Sequence, residues 1–216
     1  MELLHAFLEF VLHMDKHLHD ITENYGLWTY AILMLIVFAE TGLVVTPFLP
    51  GDSLLFATGA VASSMGTLNI GAVFCLLFLS AVVGNISNYR IGYYLGPAVF
   101  NKKGSKIFNK EYLVVTQRYF ARYGGKTVVI GRFLPIVRTF APFVAGIGKM
   151  TWRQFMKYNL IGAFLWVGFF LMAGYFFGNI PSVKRNFSAV ILSIIVISML
   201  PALVEFIRHK MFAREE

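Results

Sequence analysis

Two apolar segments of this chain are each broken by prolines and each carry charged side chains, a combination that excludes a simple membrane-spanning helix. The first reads Glu40-Thr-Gly-Leu-Val-Val-Thr-Pro-Phe-Leu-Pro-Gly-Asp52, with carboxylates on both sides of Pro47, Pro50 and Gly51. The second reads Arg132-Phe-Leu-Pro-Ile-Val-Arg-Thr-Phe-Ala-Pro142, with guanidiniums around Pro135 and before Pro142. An ionisable group at bilayer depth is costly and by default marks a substrate or ion path rather than packing. Acid in one broken segment and base in the other point to a polar site inside a membrane protein.

Composition supports the membrane setting independently of the motifs. Hydrophobic residues make up 57% of the 216 and charged residues 14%, where a soluble domain is about one quarter charged. The net charge of +8 would suit a nucleic-acid partner, but the basic residues sit mostly in three patches flanking apolar runs, which is the pattern of membrane orientation. No nucleic-acid partner is therefore expected. Cys75, the only cysteine, excludes an intrachain disulfide. No cleavable signal is expected, because Met1-Glu-Leu-Leu-His lacks a positive n-region.

The chain divides into three parts. Residues 1–26 interleave Leu3, Leu4, Phe7, Leu8, Val11 and Leu12 with Glu2, His5, Glu9, His13 and Lys16, the pattern of an interfacial amphipathic helix. Residues 27–207 form one membrane domain, and residues 208–216 a basic tail. Within the domain, a hairpin is expected over 27–63, a span over 69–96 and a basic amphipathic segment over 101–126. A second hairpin over 127–148 and spans over 155–177 and 187–207 complete it. The arm from Ser53 to Ser63 reaches only ~16 Å of the ~30 Å hydrocarbon core. Arms of seven to eight residues around Pro135 and Pro142 reach ~12 Å. Neither crosses alone, so each segment is expected to re-enter, its irregular backbone covered by protein or lining a wet cavity.

An internal repeat accompanies this order. Hairpin and span end in Gly92-Tyr-Tyr-Leu-Gly96, then hairpin and span end again in Gly174-Tyr-Phe-Phe-Gly178. Each unit crosses once, so the second copy must be inverted, as in many secondary transporters. The two Gly-x-x-x-Gly pairs read as close helix packing. The fold class expected is an all-α integral membrane protein with two opposed re-entrant hairpins, three full transmembrane helices and interfacial amphipathic helices. The basic 101–126 segment and the tail with Arg208, Lys210 and Arg214 fall on one side by parity, and their charge makes that side the cytoplasm. Lys184 and Arg185 fall outside and are the exception.

At Phe48-Leu-Pro-Gly-Asp52, Gly131-Arg-Phe-Leu-Pro-Ile-Val-Arg138, Gly84-Asn-Ile-Ser-Asn-Tyr89 and Pro142-Phe-Val-Ala-Gly146, the chain resembles the DedA family of bacterial inner-membrane proteins, over roughly residues 25–205. The resemblance implies two opposed re-entrant hairpins, distant kinship with eukaryotic lipid scramblases and, for some members, transport of undecaprenyl phosphate. The family's functional positions match here as Glu40, Asp52, Arg132 and Arg138. Asn85 stands where family members often have aspartate, so a proton role at that position does not carry over.

Each candidate has a structural alternative. Asp52 could cap the helix that follows Gly51, while Glu40 sits mid-run with no cap to make. Arg132 and Arg138 could be structural ion pairs or bond broken-helix carbonyls. As functional groups they would grip a phosphate headgroup, because the guanidinium fork matches phosphate oxygens. Glu40 and Asp52 would couple protons or gate the outer path, with Pro50, Gly51, Asn85, Tyr89, Pro135 and Pro142 in supporting places. His13 and His17 have a spacing that can hold a metal, but they lie on an ordinary polar helix face. Tyr123-Gly-Gly-Lys126 lacks the spacing of a P-loop. Neither a metal nor a cofactor is expected.

The function expected is a flippase of an anionic lipid, undecaprenyl phosphate or a related lipid phosphate, drawing on the proton gradient. The alternatives are a proton-coupled small-solute or ion transporter and a phospholipid scramblase. An enzyme is not expected, because all five histidines lie near the termini, away from any intramembrane phosphate. Partners expected are membrane lipids and the lipid-phosphate substrate, with a homo-oligomer also open. In a Cys75→Ala background, Lys110→Cys should react with an impermeant maleimide only in inside-out vesicles. Labelling from outside intact cells would reverse the orientation.

Overall fold

The computed structural model describes residues 14–43, 51–66, 68–101 and 110–197. Among the described residues the chain is helical with no strand. In order, it forms α1 (Met14–Tyr25), α2 (Trp28–Gly42), α3 (Gly51–Met65), α4 (Ile70–Asn101), α5 (Lys110–Tyr123) and α6 (Thr127–Ile130). It continues with α7 (Pro135–Ile147), α8 (Trp152–Phe177) and α9 (Pro181–Arg185), then α10 (Phe187–Ile197). Short 3-10 turns, Gly124–Lys126 and Gly131–Phe133, flank α6.

Local chemistry sets several of the boundaries. Gly66 closes α3 at φ +64°, a left-handed conformation that glycine adopts without a Cβ penalty. Asn69 then caps α4, its Oδ1 accepting from the Ala72 N–H at 3.0 Å. Leu134 is extended (φ −122°, ψ 106°) and Pro135 opens α7 at its first position, where the missing N–H goes unused in any helix.

Length separates spanning helices from the rest. α4 and α8 have 32 and 26 residues and exceed the ~20 needed to cross the hydrocarbon core. Only 39% and 33% of their apolar windows are buried inside the protein, so most of that surface faces outward, as a lipid-facing helix requires. Leu79, Phe164 and Phe169 are among the exposed side chains. α2, α3 and α7 have 15, 15 and 13 residues, or ~20–22 Å, and fall short of the ~30 Å core.

Three expectations change. α7 is nearly twice the expected arm, because Pro142 lies inside the helix rather than ending it. That proline removes one intrahelical bond while the buried flanks Ala141 and Phe143 hold the helix in the core. α4 runs on to Asn101, beyond the expected end at Gly96. Two helices of spanning length are present among the described residues where three were expected. α10 covers 187–197 of the expected 187–207 span, and residues 198–216, the basic tail included, lie outside the described residues, as do 1–13, 44–50, 67 and, within the expected basic segment, 102–109.

The packing exchanges arms between the two repeats. α3, which belongs with α4 in sequence, lies along α8, while α7, which belongs with α8, lies along α4. Both crossings use one device. A Cβ at Gly174 would fall on the Phe56 carbonyl oxygen, and one at Gly59 on the Leu171 carbonyl oxygen. In the other crossing, Gly92 meets the Phe143 carbonyl and Gly146 the Tyr89 carbonyl in the same way. Each helix thus offers a carbonyl three residues before a glycine, and the pairs interlock at backbone distance. Gly92 and Gly174, which head the repeated sequence motif, occupy corresponding places. α1 is anchored by Leu18, buried in the main core with Leu54, Leu55, Leu77, Trp166 and Leu171, and α5 packs on α7 through Phe120.

Gly174→Ala should cost about 1–3 kcal/mol through overpacking against an immovable carbonyl, read as a lowered unfolding midpoint in detergent. Gly168→Ala, whose added Cβ would meet only Phe74 Cε2 at 3.6 Å, should be neutral.

Candidate functional site

Four elements deliver the charged side chains to one place. Glu40 lies in the last turn of α2 and Asp52 in the first turn of α3. The chain between them returns so closely that the Gly51 N–H donates to Glu40 Oε1 at 3.2 Å. A Cβ at Gly51 would overlap the Glu40 carboxylate, so glycine is needed there to admit it. Arg132 lies in the 3-10 turn before the Leu134 break, and Arg138 in the first turns of α7.

Arg138 joins the two broken segments. Its Nη2 lies 2.5 Å from Glu40 Oε1 and its Nη1 2.6 Å from Asp52 Oδ1. One guanidinium thus spans two carboxylates from different helices, which a lysine point charge cannot do with fixed geometry. The same Asp52 Oδ1 accepts from the Trp166 indole N–H at 2.8 Å. The carboxylate is turned into the interior, so its role is not confined to capping α3.

Arg132 is held differently. Its Nη2 donates to Asn159 Oδ1 at 2.7 Å and to the Ala81 carbonyl at 3.3 Å. The Asn159 amide donates in turn to the Val82 carbonyl at 3.1 Å. Among the described residues, Arg132 Nε and Nη1 have no hydrogen-bond partner. Both guanidiniums lie against the Trp166 ring, 5.9 Å and 5.3 Å from its centroid for Arg132 and Arg138. Asn159, Gly162 and Trp166 share one face of α8. A Cβ at Gly162 would press to 3.0 Å from Arg132 Cδ, so this glycine makes room for the arginine.

None of the four charged residues is more than 5% exposed. Besides the Arg132 nitrogens, Glu40 Oε2, Arg138 Nε and Asn85 Oδ1 are buried without a partner. Each such atom costs about 1–3 kcal/mol in a dry interior. These atoms gather around the four charges.

The supporting residues separate. Gly51 and Pro135 shape the two turns, and Asn85 is buried on α4. Tyr89 is engaged elsewhere: its hydroxyl donates to the Met150 carbonyl at 2.6 Å and its ring stacks on Phe155 at 4.2 Å, which pins α4 to the start of α8. Pro142 is an interior helix residue, and Pro50 lies outside the described residues. Asn159, Trp166 and Asn88 were not among the expected site residues. Asn88 Nδ2 donates to the carbonyl of Thr139, beside Arg138, at 2.7 Å and to that of Thr41, beside Glu40, at 3.4 Å. An amide within a long apolar helix was the available signal for Asn159; the role of Trp166 had none.

Residues 49–176 match the VTT domain family. The chain is 53% identical to Protein DedA of Escherichia coli K12 over 211 residues, 97% of this chain and 96% of that protein. It is 41% identical to the uncharacterized membrane protein Rv0364 of Mycobacterium tuberculosis H37Rv, covering 82% and 78% of the two. It is 33% identical to the inner membrane protein YghB of E. coli K12, covering 80% of each. No solved structure matches it. The broken segments, their buried charges and this similarity along nearly the whole chain together make it a member of the DedA family of VTT-domain membrane proteins.

Proposed function

We propose that this protein is a transporter of an anionic lipid, undecaprenyl phosphate or a related lipid phosphate, that works across the bacterial inner membrane and is driven by protons. The observation that carries this reading is the enclosed cluster itself. Two arginines and two carboxylates from the two broken segments meet in the buried interior, and Arg132 keeps two donor groups unused where Arg138 keeps only its Nε–H. An ion pair kept only for stability gains little over apolar packing. A site that must take up and release a phosphate headgroup needs positive charge and an exchangeable counter-charge.

In this reading α2–α3 and α6–α7 are two opposed re-entrant hairpins, their arms being too short to cross. The basic α5 and the C-terminal tail are cytoplasmic, and similarity to the inner membrane protein YghB supports the inner membrane. Arg132 and Arg138 receive the headgroup from the cytoplasmic side. Glu40 and Asp52 take up Arg138 when the site is empty and carry protons when it is loaded. The protein acts as a carrier and makes no covalent change in the lipid.

The deciding assay is translocation of undecaprenyl phosphate in proteoliposomes with and without an imposed pH gradient. Gradient-driven movement supports the reading, gradient-independent exchange of ordinary phospholipids would make the protein a scramblase, and gradient-driven movement of a water-soluble solute alone would replace the lipid.

Arg138→Lys should insert normally yet lose transport at least tenfold, on the order of 1.4 kcal/mol or more, because lysine cannot hold both carboxylates in one plane. Transport at the wild-type rate would reduce Arg138 to a charge balance.

Glu40→Gln and Asp52→Asn should each abolish the dependence on the gradient while remaining folded, because Arg138 keeps one carboxylate in either variant. The double variant leaves that guanidinium bare and should lose about 3–5 kcal/mol, visible as a sharply lowered unfolding midpoint. Full gradient-driven transport by both single variants would remove the carboxylates from the mechanism.

A further inference from the structure

We infer that the two arginines divide the work, Arg132 being the anion seat and Arg138 a lock, and that Asn159 is the positioning residue that keeps the seat charged. The division follows from who holds each guanidinium. Arg138 is closed by two carboxylates at 2.5 Å and 2.6 Å. An anion approaching it must first displace both. Arg132 is equally buried but is held by neutral groups alone, the Asn159 amide oxygen and the Ala81 carbonyl, and its Nε–H and Nη1 amino group remain unengaged.

The neutrality of the holder is the decisive chemistry. An amide oxygen fixes the guanidinium as firmly as a neutral acceptor can, but it brings no counter-charge of its own, and no carboxylate touches Arg132 among the described residues. A carboxylate in the same place would anchor it equally well and cancel its attraction for an anion. The Asn159 amide N–H bonded to the Val82 carbonyl fixes which end faces Arg132, so the oxygen is the holder. Trp166 supports the separation: its N–H keeps the Asp52 carboxylate oxygen that Arg138 uses, while its ring faces both guanidiniums. The group that suits such a seat is a phosphate, whose oxygens accept from several guanidinium N–H groups at once.

That the phosphate belongs to a lipid rests on the proposed function; that Arg132 seats it does not. The test is calorimetric binding to purified full-length protein in detergent, with farnesyl phosphate, inorganic phosphate and uncharged farnesol as probes. Asn159→Asp should lose at least tenfold in affinity for farnesyl phosphate and keep its weak affinity for farnesol, because the carboxylate cancels the charge of Arg132; it also gives up the bond to the Val82 carbonyl, so its melting is not the readout. Asn159→Ala, which adds no charge, should bind farnesyl phosphate several-fold more weakly through lost orientation, and it decides the matter should the aspartate variant fail to fold. A purely structural asparagine would change melting and leave the ratio of farnesyl phosphate to farnesol affinity unmoved. Wild-type affinity for farnesyl phosphate in whichever of these variants folds would overturn the seat while leaving the lipid reading intact. Binding of inorganic phosphate with no gain from the farnesyl chain would keep the seat and remove the lipid reading. Binding of neither phosphate by the wild type would overturn both.

Discussion

A single guanidinium reaching two carboxylates is the contact on which the enclosed architecture turns. Arg138 comes from one broken segment, Glu40 and Asp52 from the two arms of the other. None of the three could be buried alone, since an unpaired charge at this depth costs far more than its neighbours could return. The surrounding bonds serve that contact: Trp166 steadies Asp52, the Gly51 N–H steadies Glu40, and Asn88 ties down the carbonyls beside Glu40 and Arg138. The glycine crossings then let α3 and α7 approach the long helices closely enough for the charges to meet.

The cluster has as many positive as negative groups, yet the charges are not shared evenly. Both carboxylates sit on Arg138, so that trio is net negative when both are ionised, while Arg132 beside it is held by an amide and a carbonyl. Such an arrangement has a built-in direction of response: an anion arriving at Arg132 changes the field felt by Glu40 and Asp52 without touching either. In the proposed transport, coupling between an anion and protons needs no more than that through-space link.

The four charged residues were legible in the sequence because charge within an apolar, proline-broken run has few explanations. The repeat was legible too, and its two leading glycines, Gly92 and Gly174, occupy corresponding crossings. What was not legible depends on tertiary partners. Asn159 reads as one polar residue on an apolar helix until Arg132 is placed against it, and the Trp166 N–H gains meaning only when Asp52 arrives. Pro142 misled in the opposite sense: a proline in isolation ends a helix, but here buried neighbours hold the helix through it. Tyr89 stands apart from the charged cluster for a tertiary reason as well. Its neighbours Asn85 and Asn88 are turned inward, while its own hydroxyl is spent on Met150.

The exchange of arms between the repeats has a consequence for biosynthesis. Arg138 follows Asp52 by 86 residues and Trp166 follows it by 114. As the chain leaves the ribosome, the acidic segment therefore emerges while its counter-charge and the helix that α3 packs on do not yet exist. Until the second half follows, those carboxylates lack the partners that offset the cost of their burial. The first half of the protein is thus a client of the second, and a chain truncated before Arg138 would leave a carboxylate pair with nowhere to go.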